Sequence, residues 1–316
     1  MFKSLIAAAG IAAASVCAAP ASAGEWAPEE PINLQIGFGA GGGTDTLGRA
    51  IAAAMEEQTG WDIVVENKPG GGGVAMFSGV ATASPDGLTL GMGVTTPTLM
   101  GITERGDSLP FNIESFDYLA TVVLGPLAVV APADAPYNTF DELVTYAAGN
   151  DGALLGHDTT PQSLIIRAIE GDKGAGLVPV PHNSGAEMIQ GLLGGNLQAA
   201  FLGGAHIQYV NSGDLKMLAV GTSGRHGYSP DTTSLSEQGY PFAVEPYFYI
   251  AAPAGLPEDT RASLAKAIDA AINSEAVTEL VTNMMQVPPS NIGPDGTAQM
   301  MTDGLASMQK LFELTR

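Results

Sequence analysis

Cysteine is all but missing from this chain: Cys17 is the single thiol in 316 residues. It falls within the leader described below, so the mature chain has none, and a packed core rather than disulfides must hold it together. Basic residues are scarce as well. Twelve lysines and arginines stand against 33 aspartates and glutamates, a formal net charge of −21. That imbalance argues against nucleic acid and anionic membrane as partners. No Gly-x-Ser-x-Gly elbow occurs, and His157, His182, His206 and His226 show none of the close spacing of a zinc motif. Enzymatic readings have little support, and no catalytic residue or cofactor is expected. His157 beside Asp158, with His182 and His206 from neighbouring turns, is the one grouping that would suit a metal; ordinary loop histidines are the competing reading. Repeats, low-complexity tracts and disordered linkers are likewise absent.

What is present begins with a leader. Lys3 precedes an apolar, alanine-rich run that ends at Ala21-Ser22-Ala23, a small-x-small cleavage site. This reads as a secretory signal peptide over residues 1–23, cut after Ala23, and places the mature protein in the periplasm. The run is too short to span a bilayer, and no later segment is long enough. A lipoprotein attached through Cys17 is the alternative, but Val16 fits poorly where a small residue is needed. The rest of the chain is long enough for two α/β lobes or one large domain, and two lobes are expected.

The most informative stretch is Asn33-Leu-Gln-Ile-Gly-Phe-Gly-Ala-Gly-Gly-Gly-Thr-Asp45. An apolar strand runs into glycines and then into an amphipathic helix from about Thr44. Glycines allow a sharp turn and close backbone approach. The first helical amides are unpaired and lie at the positive end of the helix dipole, so an anion is expected there. An acidic protein repels such a ligand at long range unless salt screens the field; a saline habitat would reconcile the two.

Downstream, strands and helices alternate. Strand Leu34 to Phe38, helix Thr44 to Thr59, strand Asp62 to Glu66, a second glycine turn at Pro69 to Gly73, helix Val74 to Ala83 and strand Thr89 to Val94 make a βαβαβ opening. Such an opening gathers its ligand-binding turns at the carboxyl ends of parallel strands. Phe116 to Val130 reads as a crossing into a second lobe. There, helices Thr139 to Ala148, Pro161 to Glu170 and Ala186 to Leu193 alternate with strands near 153–156, 176–180, 197–201 and 216–220. Phe242 to Ala251 reads as the return, before three final helices starting near Pro257, Glu275 and Pro294.

Three readings compete at the first glycine turn. Gly37-x-Gly39-x-x-Gly42 is a literal dinucleotide pattern with Glu66 placed as a ribose-binding acid. Against it, Asp45 would oppose a pyrophosphate, and an exported protein meets no nicotinamide pool. A P-loop fails for want of Gly-Lys-Ser or Gly-Lys-Thr, and a purely structural turn stays open. Two second-lobe turns repeat the strand-turn-helix device: Gly156-His-Asp-Thr-Thr-Pro161, and Val180-Pro-His-Asn-Ser-Gly185 with Ser184 as a cap. Ordinary capping explains each alone. Three such helix ends meeting at one cleft would bind an anion without lysine or arginine. Arg49 and Arg167, within helices, are expected as ion-pair partners.

The chain resembles the extracytoplasmic solute receptors of the tripartite tricarboxylate transporter, or Bug, family. The matching segments are Pro31-Ile32, Phe38-Gly-Ala-Gly-Gly-Gly-Thr-Asp45 with Arg49, Val64-Val-Glu-Asn67 with Pro69-Gly70, and Pro85-Asp-Gly-Leu-Thr-Leu90. Val180-Pro181 with Gly185, Gly194-Gly195, Ser212 to Val220, Arg225, Ser234 to Gly239 and Ala252-Pro-Ala-Gly255 follow in the same order. The resemblance implies an α/β type II periplasmic-binding-protein fold, with lobe 1 formed by 24–124 and 243–316 and lobe 2 by 125–242. It implies a monomer that closes on a small organic carboxylate and serves the membrane permease subunits of such a transporter. The implied ligand contacts are Phe38, Gly42, Gly43, Thr44, Asp45, Thr95 and Thr96 in lobe 1. In lobe 2 they are His157, Asp158, Thr159, Thr160, His182, Asn183, Ser184 and Gly185, with waters as intermediaries.

Departures fall on the pocket wall. The family often has Val-Pro-Tyr-Lys-Gly where this chain has Val180-Pro-His-Asn-Ser-Gly185, and an acidic residue where it has Leu202-Gly-Gly204. His182 would donate to a distal ligand group, or simply bond to backbone. Few aromatics other than Phe38 lie near the expected loops, which favours an aliphatic di- or tricarboxylate. The sequence does not separate delivery to a permease from a receptor that reports its closed state to a signalling partner.

Overall fold

The computed structural model describes residues 26–314; the expected leader, its cleavage site and Cys17 lie outside the described residues. The chain opens with β1 (Ile32–Ile36), α1 (Gly43–Thr59), β2 (Ile63–Asn67), α2 (Val74–Val80), β3 (Thr89–Val94), α3 (Thr95–Arg105) and β4 (Phe116–Leu124). It continues through β5 (Leu127–Pro132), α4 (Phe140–Gly149), β6 (Ala153–His157), α5 (Thr160–Lys173), β7 (Leu177–Pro181), α6 (Gly185–Leu193), β8 (Ala199–Gly203), α7 (Ile207–Ser212) and β9 (Leu215–Val220). It ends with β10 (Tyr247–Pro253), α8 (Glu258–Ile272), α9 (Glu275–Met285) and α10 (Gly293–Leu314).

Two five-stranded sheets result, ordered β2-β1-β3-β10-β4 and β7-β6-β8-β5-β9. In each, the strands that open the sheet run parallel, β1 with β2 and β3, β6 with β7 and β8. The strands that carry the chain between sheets pair antiparallel. Parallel pairs need crossover helices, which cover both sheet faces. Leu47, Ile51 and Met55, four residues apart on α1, bury one helical stripe against Ile32, Leu34 and Ile36 of β1. Leu264 and Ile268 of α8 and Val277 and Val281 of α9 join the same cluster. The largest apolar cluster is shared between the sheets, with Phe77, Phe116 and Tyr249 on one side and Phe140, Leu155 and Phe201 on the other. The lobes thus meet directly.

Two helices depart from the sequence expectation. No helix was expected directly after β3, yet Thr95 and Thr96 are the first residues of α3. Threonine, glycine and Pro97 are weak helix formers, yet Thr95 to Gly101 are buried, and packing against α10 overrides propensity. Short α7 was also unforeseen; Gly213 in the left-handed region ends it.

Candidate functional site

Four helices, α1, α3, α5 and α6, start where the lobes meet, each after a strand end. Their first turns surround a cavity of about 60 Å³. Gly43 and Thr44 come from α1, Thr96 from α3, Thr159 and Gln162 from the start of α5 with Asp158 just before it, and Gly185 from α6. Apolar walls come from Phe38, Val94, Leu127, Val244, Pro246 and Phe248. No lysine, arginine or histidine lines it. Charge that a ligand brings must therefore be met by helix ends and neutral donors.

Those donors are free. Among the described residues the hydroxyls of Thr44, Thr96 and Thr159 have no protein partner, and Thr159 occupies the N-cap of α5 without making the usual side-chain bond. Pro97 and Pro161 carry no N–H, so in α3 and α5 the threonine hydroxyls take on more of the donor role. Thr95, by contrast, accepts from Tyr247 N–H at 3.1 Å and is spent on structure. Ser184 caps α6 by accepting from Glu187 N–H at 3.3 Å.

The glycine loop 37–43 is shaped by a partly buried network centred on Asp45. Asp45 accepts from Gly41 N–H at 2.9 Å, from Arg49 Nε at 2.9 Å and from Asn67 Nδ2 at 2.8 Å. Asn67 Nδ2 also donates to the Phe38 carbonyl at 3.0 Å. Asp45 therefore does not line the cavity; it fixes the loop that does. Gly39 N–H crosses between the lobes to the Asn183 carbonyl at 2.9 Å. A Cβ on Gly39 would lie 3.3 Å from that oxygen, so the close approach suits glycine.

Of the residues expected from sequence, the structure brings Phe38, Gly43, Thr44, Thr96, Asp158, Thr159 and Gly185 around this cavity. His157, Thr160, His182 and Asn183 line a second, open cleft of about 380 Å³ beyond Thr159, which Asp158 and Thr159 share. Gly42, Asp45, Thr95 and Ser184 line neither. His182 Nδ1 lies 3.0 Å from the Val180 carbonyl, a backbone partnership. Arg49 forms its expected ion pair with Asp45. Arg167 makes none among the described residues, only a 3.4 Å contact to Ser163 Oγ; it is exposed on α5 with no acid in reach. Gln162, Leu127, Gly203, Ala205 and the Val244 to Phe248 segment were missed. Only Gly203 had carried a signal, as part of the Leu202-Gly-Gly204 departure.

Asp158 is the electrostatic exception. Enclosure between the lobes pushes its carboxyl up to about 6, while hydrogen bonding to Gln162 acts in the opposite direction. Gln162 Oε1 also takes the Asp158 N–H at 3.0 Å. His157 is held below its ordinary value by burial, and His182 and Arg167 act in the same sense. No grouping of three or more histidine, cysteine or acidic residues among the described residues is placed to hold a metal ion. No helix among them is long and apolar enough to cross a membrane.

The sequence profile of the tripartite tricarboxylate transporter family receptor matches residues 47–315. An UPF0065 protein from the gbd 5' region of Cupriavidus necator is 31% identical over 80% of this chain and 79% of its own length. Protein BugT of Bordetella pertussis is 28% identical over 90% of this chain and 89% of its own. Among solved structures, the periplasmic binding protein BugD superposes with a TM-score of 0.81 at 25% identity, covering 92% of this chain and 98% of that one. MatC of Rhodopseudomonas palustris, solved with bound malate, superposes at 0.78 with 22% identity, covering 90% and 99%. The two sheets are thus those of a two-lobed periplasmic-binding-protein fold, and the chain belongs to the tripartite tricarboxylate transporter receptor, or Bug, family.

Proposed function

We propose that this protein is a periplasmic receptor that captures a small organic carboxylate, an aliphatic di- or tricarboxylate foremost, and delivers it to the permease subunits of a tripartite tricarboxylate-type transporter. Capture proceeds by closure of the two lobes, 24–124 with 243–316 against 125–242. The carrying observation is the inter-lobe cavity, where four helix N-termini and three unpaired threonine hydroxyls converge and no cationic side chain is present. Such donors bind a carboxylate by many short hydrogen bonds without turning it over. MatC, of the same fold, holds malate, an acid of the class proposed.

Thermal unfolding of the mature chain, refolded from denaturant to strip any retained ligand, tests this. A panel of carboxylates is titrated at low and at high salt. A ligand that binds only the folded state at about 100 times its Kd adds about 2.7 kcal/mol of stability, so one subset of acids should raise Tm by several degrees. No rise with any acid at either salt would sink the receptor reading.

A further inference from the structure

Three aromatic side chains stand behind the second-lobe wall of the inter-lobe cavity without lining it. His206 is fully buried and follows Ala205, a lining residue. Its Nε2 lies 2.8 Å from Tyr228 Oη, and its Nδ1 has no partner among the described residues. The Tyr228 ring stacks on His226, with centroids 5.3 Å apart and planes 11° from parallel. His226 Nε2 in turn lies 3.1 Å from the carbonyl of Leu127, a second lining residue. A carbonyl only accepts, so Nε2 carries the hydrogen and a further proton must add at Nδ1. The same carbonyl accepts from Gly221 N–H at 2.7 Å, and the Gly221 carbonyl takes the N–H of Val244, a third lining residue, at 3.0 Å. One end of the stack thus follows Ala205, and the other bonds to the backbone chain that joins Leu127 to Val244.

His226 also borders an open cleft of about 290 Å³ at the hinge, walled by Leu124 and Pro126 of the first crossing, Glu245 of the return, and Met285 and Val287 of the first lobe. Glu245 and Arg225 bring charge to this cleft. Glu245 accepts from Ser223 N–H at 2.8 Å and from its hydroxyl at 2.7 Å, and Arg225 is paired with Glu237 at 2.6 Å. Burial disfavours a proton on His226, and it outweighs the Leu127 carbonyl and Glu245, which both favour one, so the pKa is lowered. His206, buried and held far below its ordinary value, takes none of that charge. A ring that loses its cover recovers the ordinary value, so acid favours the uncovered arrangement.

We propose that His206, Tyr228 and His226 form a proton-sensitive brace: while His226 is uncharged they hold Leu127, Ala205 and Val244 in the cavity wall, and a proton on His226 frees that wall. They are positioning residues, acting on a ligand only through the wall. The consequence for capture rests on the receptor reading, whereas the brace itself does not.

Hydrogen exchange of the ligand-free, refolded mature chain, corrected for intrinsic rates, tests the brace. Between pH 7.5 and 5.5 the Gly221 and Val244 amides should lose protection about five- to tenfold, the most that one refused proton supplies a unit below the ordinary imidazole value. The amides of β6, in the same lobe, should keep theirs. His226→Gln, which keeps a donor for Leu127 and cannot titrate, should show no such loss. Unchanged protection in the parent, or an equal loss in the variant, overturns the inference. Should the variant fail to fold, ring NMR of the parent decides, since the His226 titration and the loss of protection must share one midpoint. Calorimetry with malate, succinate and the other aliphatic dicarboxylates of the panel reads the consequence. At pH 5.5 the parent should bind several-fold more weakly than His226→Gln, and at pH 7.5 equally; a constant ratio would sink the link to capture. If none of these acids binds at either pH, the receptor reading falls, and exchange alone still decides the brace.

Discussion

His206 is fully buried in the second lobe, with Nε2 2.8 Å from Tyr228 Oη and Nδ1 without a partner. Burial lowers its pKa from an ordinary 6.5 to about 3, so on acidification the unfolded chain takes up a proton that the folded one refuses. Stability is then lost as pH falls below 6.5, by up to about 1.4 kcal/mol per pH unit. Asp158 has the opposite sign. Its folded pKa of about 6 exceeds the ordinary 3.8, so the folded state takes up the extra proton and gains stability as pH falls through that window. Between about pH 6 and 4 the two nearly cancel. Urea unfolding across this range should therefore show an acid loss in the parent that is steeper in Asp158→Asn and shallower in His206→Gln. His157 and His226, both lowered chiefly by burial, add to the acid loss. Parallel slopes in all three proteins would refute the assignment.

At the scale of elements, the second glycine turn joins three parts of the site. Gly72 has φ 68°, and a Cβ there would sit 2.5 Å from Pro97 Cβ in α3 and 3.3 Å from Thr159 Cγ2 across the cleft. Gly72→Ala should cost about 2 kcal/mol from backbone strain and displacement of Pro97, read as a lowered urea midpoint at constant m-value. A loss under about 0.5 kcal/mol, the ordinary size of a surface change, would show that the turn relaxes freely. The strand-glycine-helix opening was legible because its hydrophobic period changes from two to 3.6 at a run of glycines, a local signal. The start of α3 was not, since Thr-Thr-Pro-Thr reads as a turn and only tertiary burial makes it helical. Placement of Val244, Pro246 and Phe248 around the same cavity as Phe38 was equally hidden, because it depends on how the return crossing sits between the lobes. The role of Asp45 followed from position but not in kind: spacing put a carboxylate in the first helical turn, and only the structure pairs it with Gly41, Arg49 and Asn67.

For the molecule as a whole, the excess of acid sets a background that the site has to overcome. A net charge of −21 repels an approaching anion and strains the compact state, and added salt relieves both; this is why the ligand panel spans two salt concentrations. The order of strands in the first sheet has a different consequence. β10 lies between β3 and β4, hydrogen-bonded to both, yet enters the chain only after β9 has completed the other sheet. The second lobe is in effect a contiguous insertion, whereas the first stays split along its middle until the last quarter of the polypeptide arrives. Folding must then run against the order of the chain, with the inserted lobe maturing first and the first lobe waiting with two open strand edges. A fragment spanning 125–245 should fold cooperatively on its own, while a chain stopped at residue 245 should keep that lobe native and leave 26–124 unprotected from hydrogen exchange. Equal protection of both halves in the shortened chain would show that the central strand is dispensable for the first lobe to form.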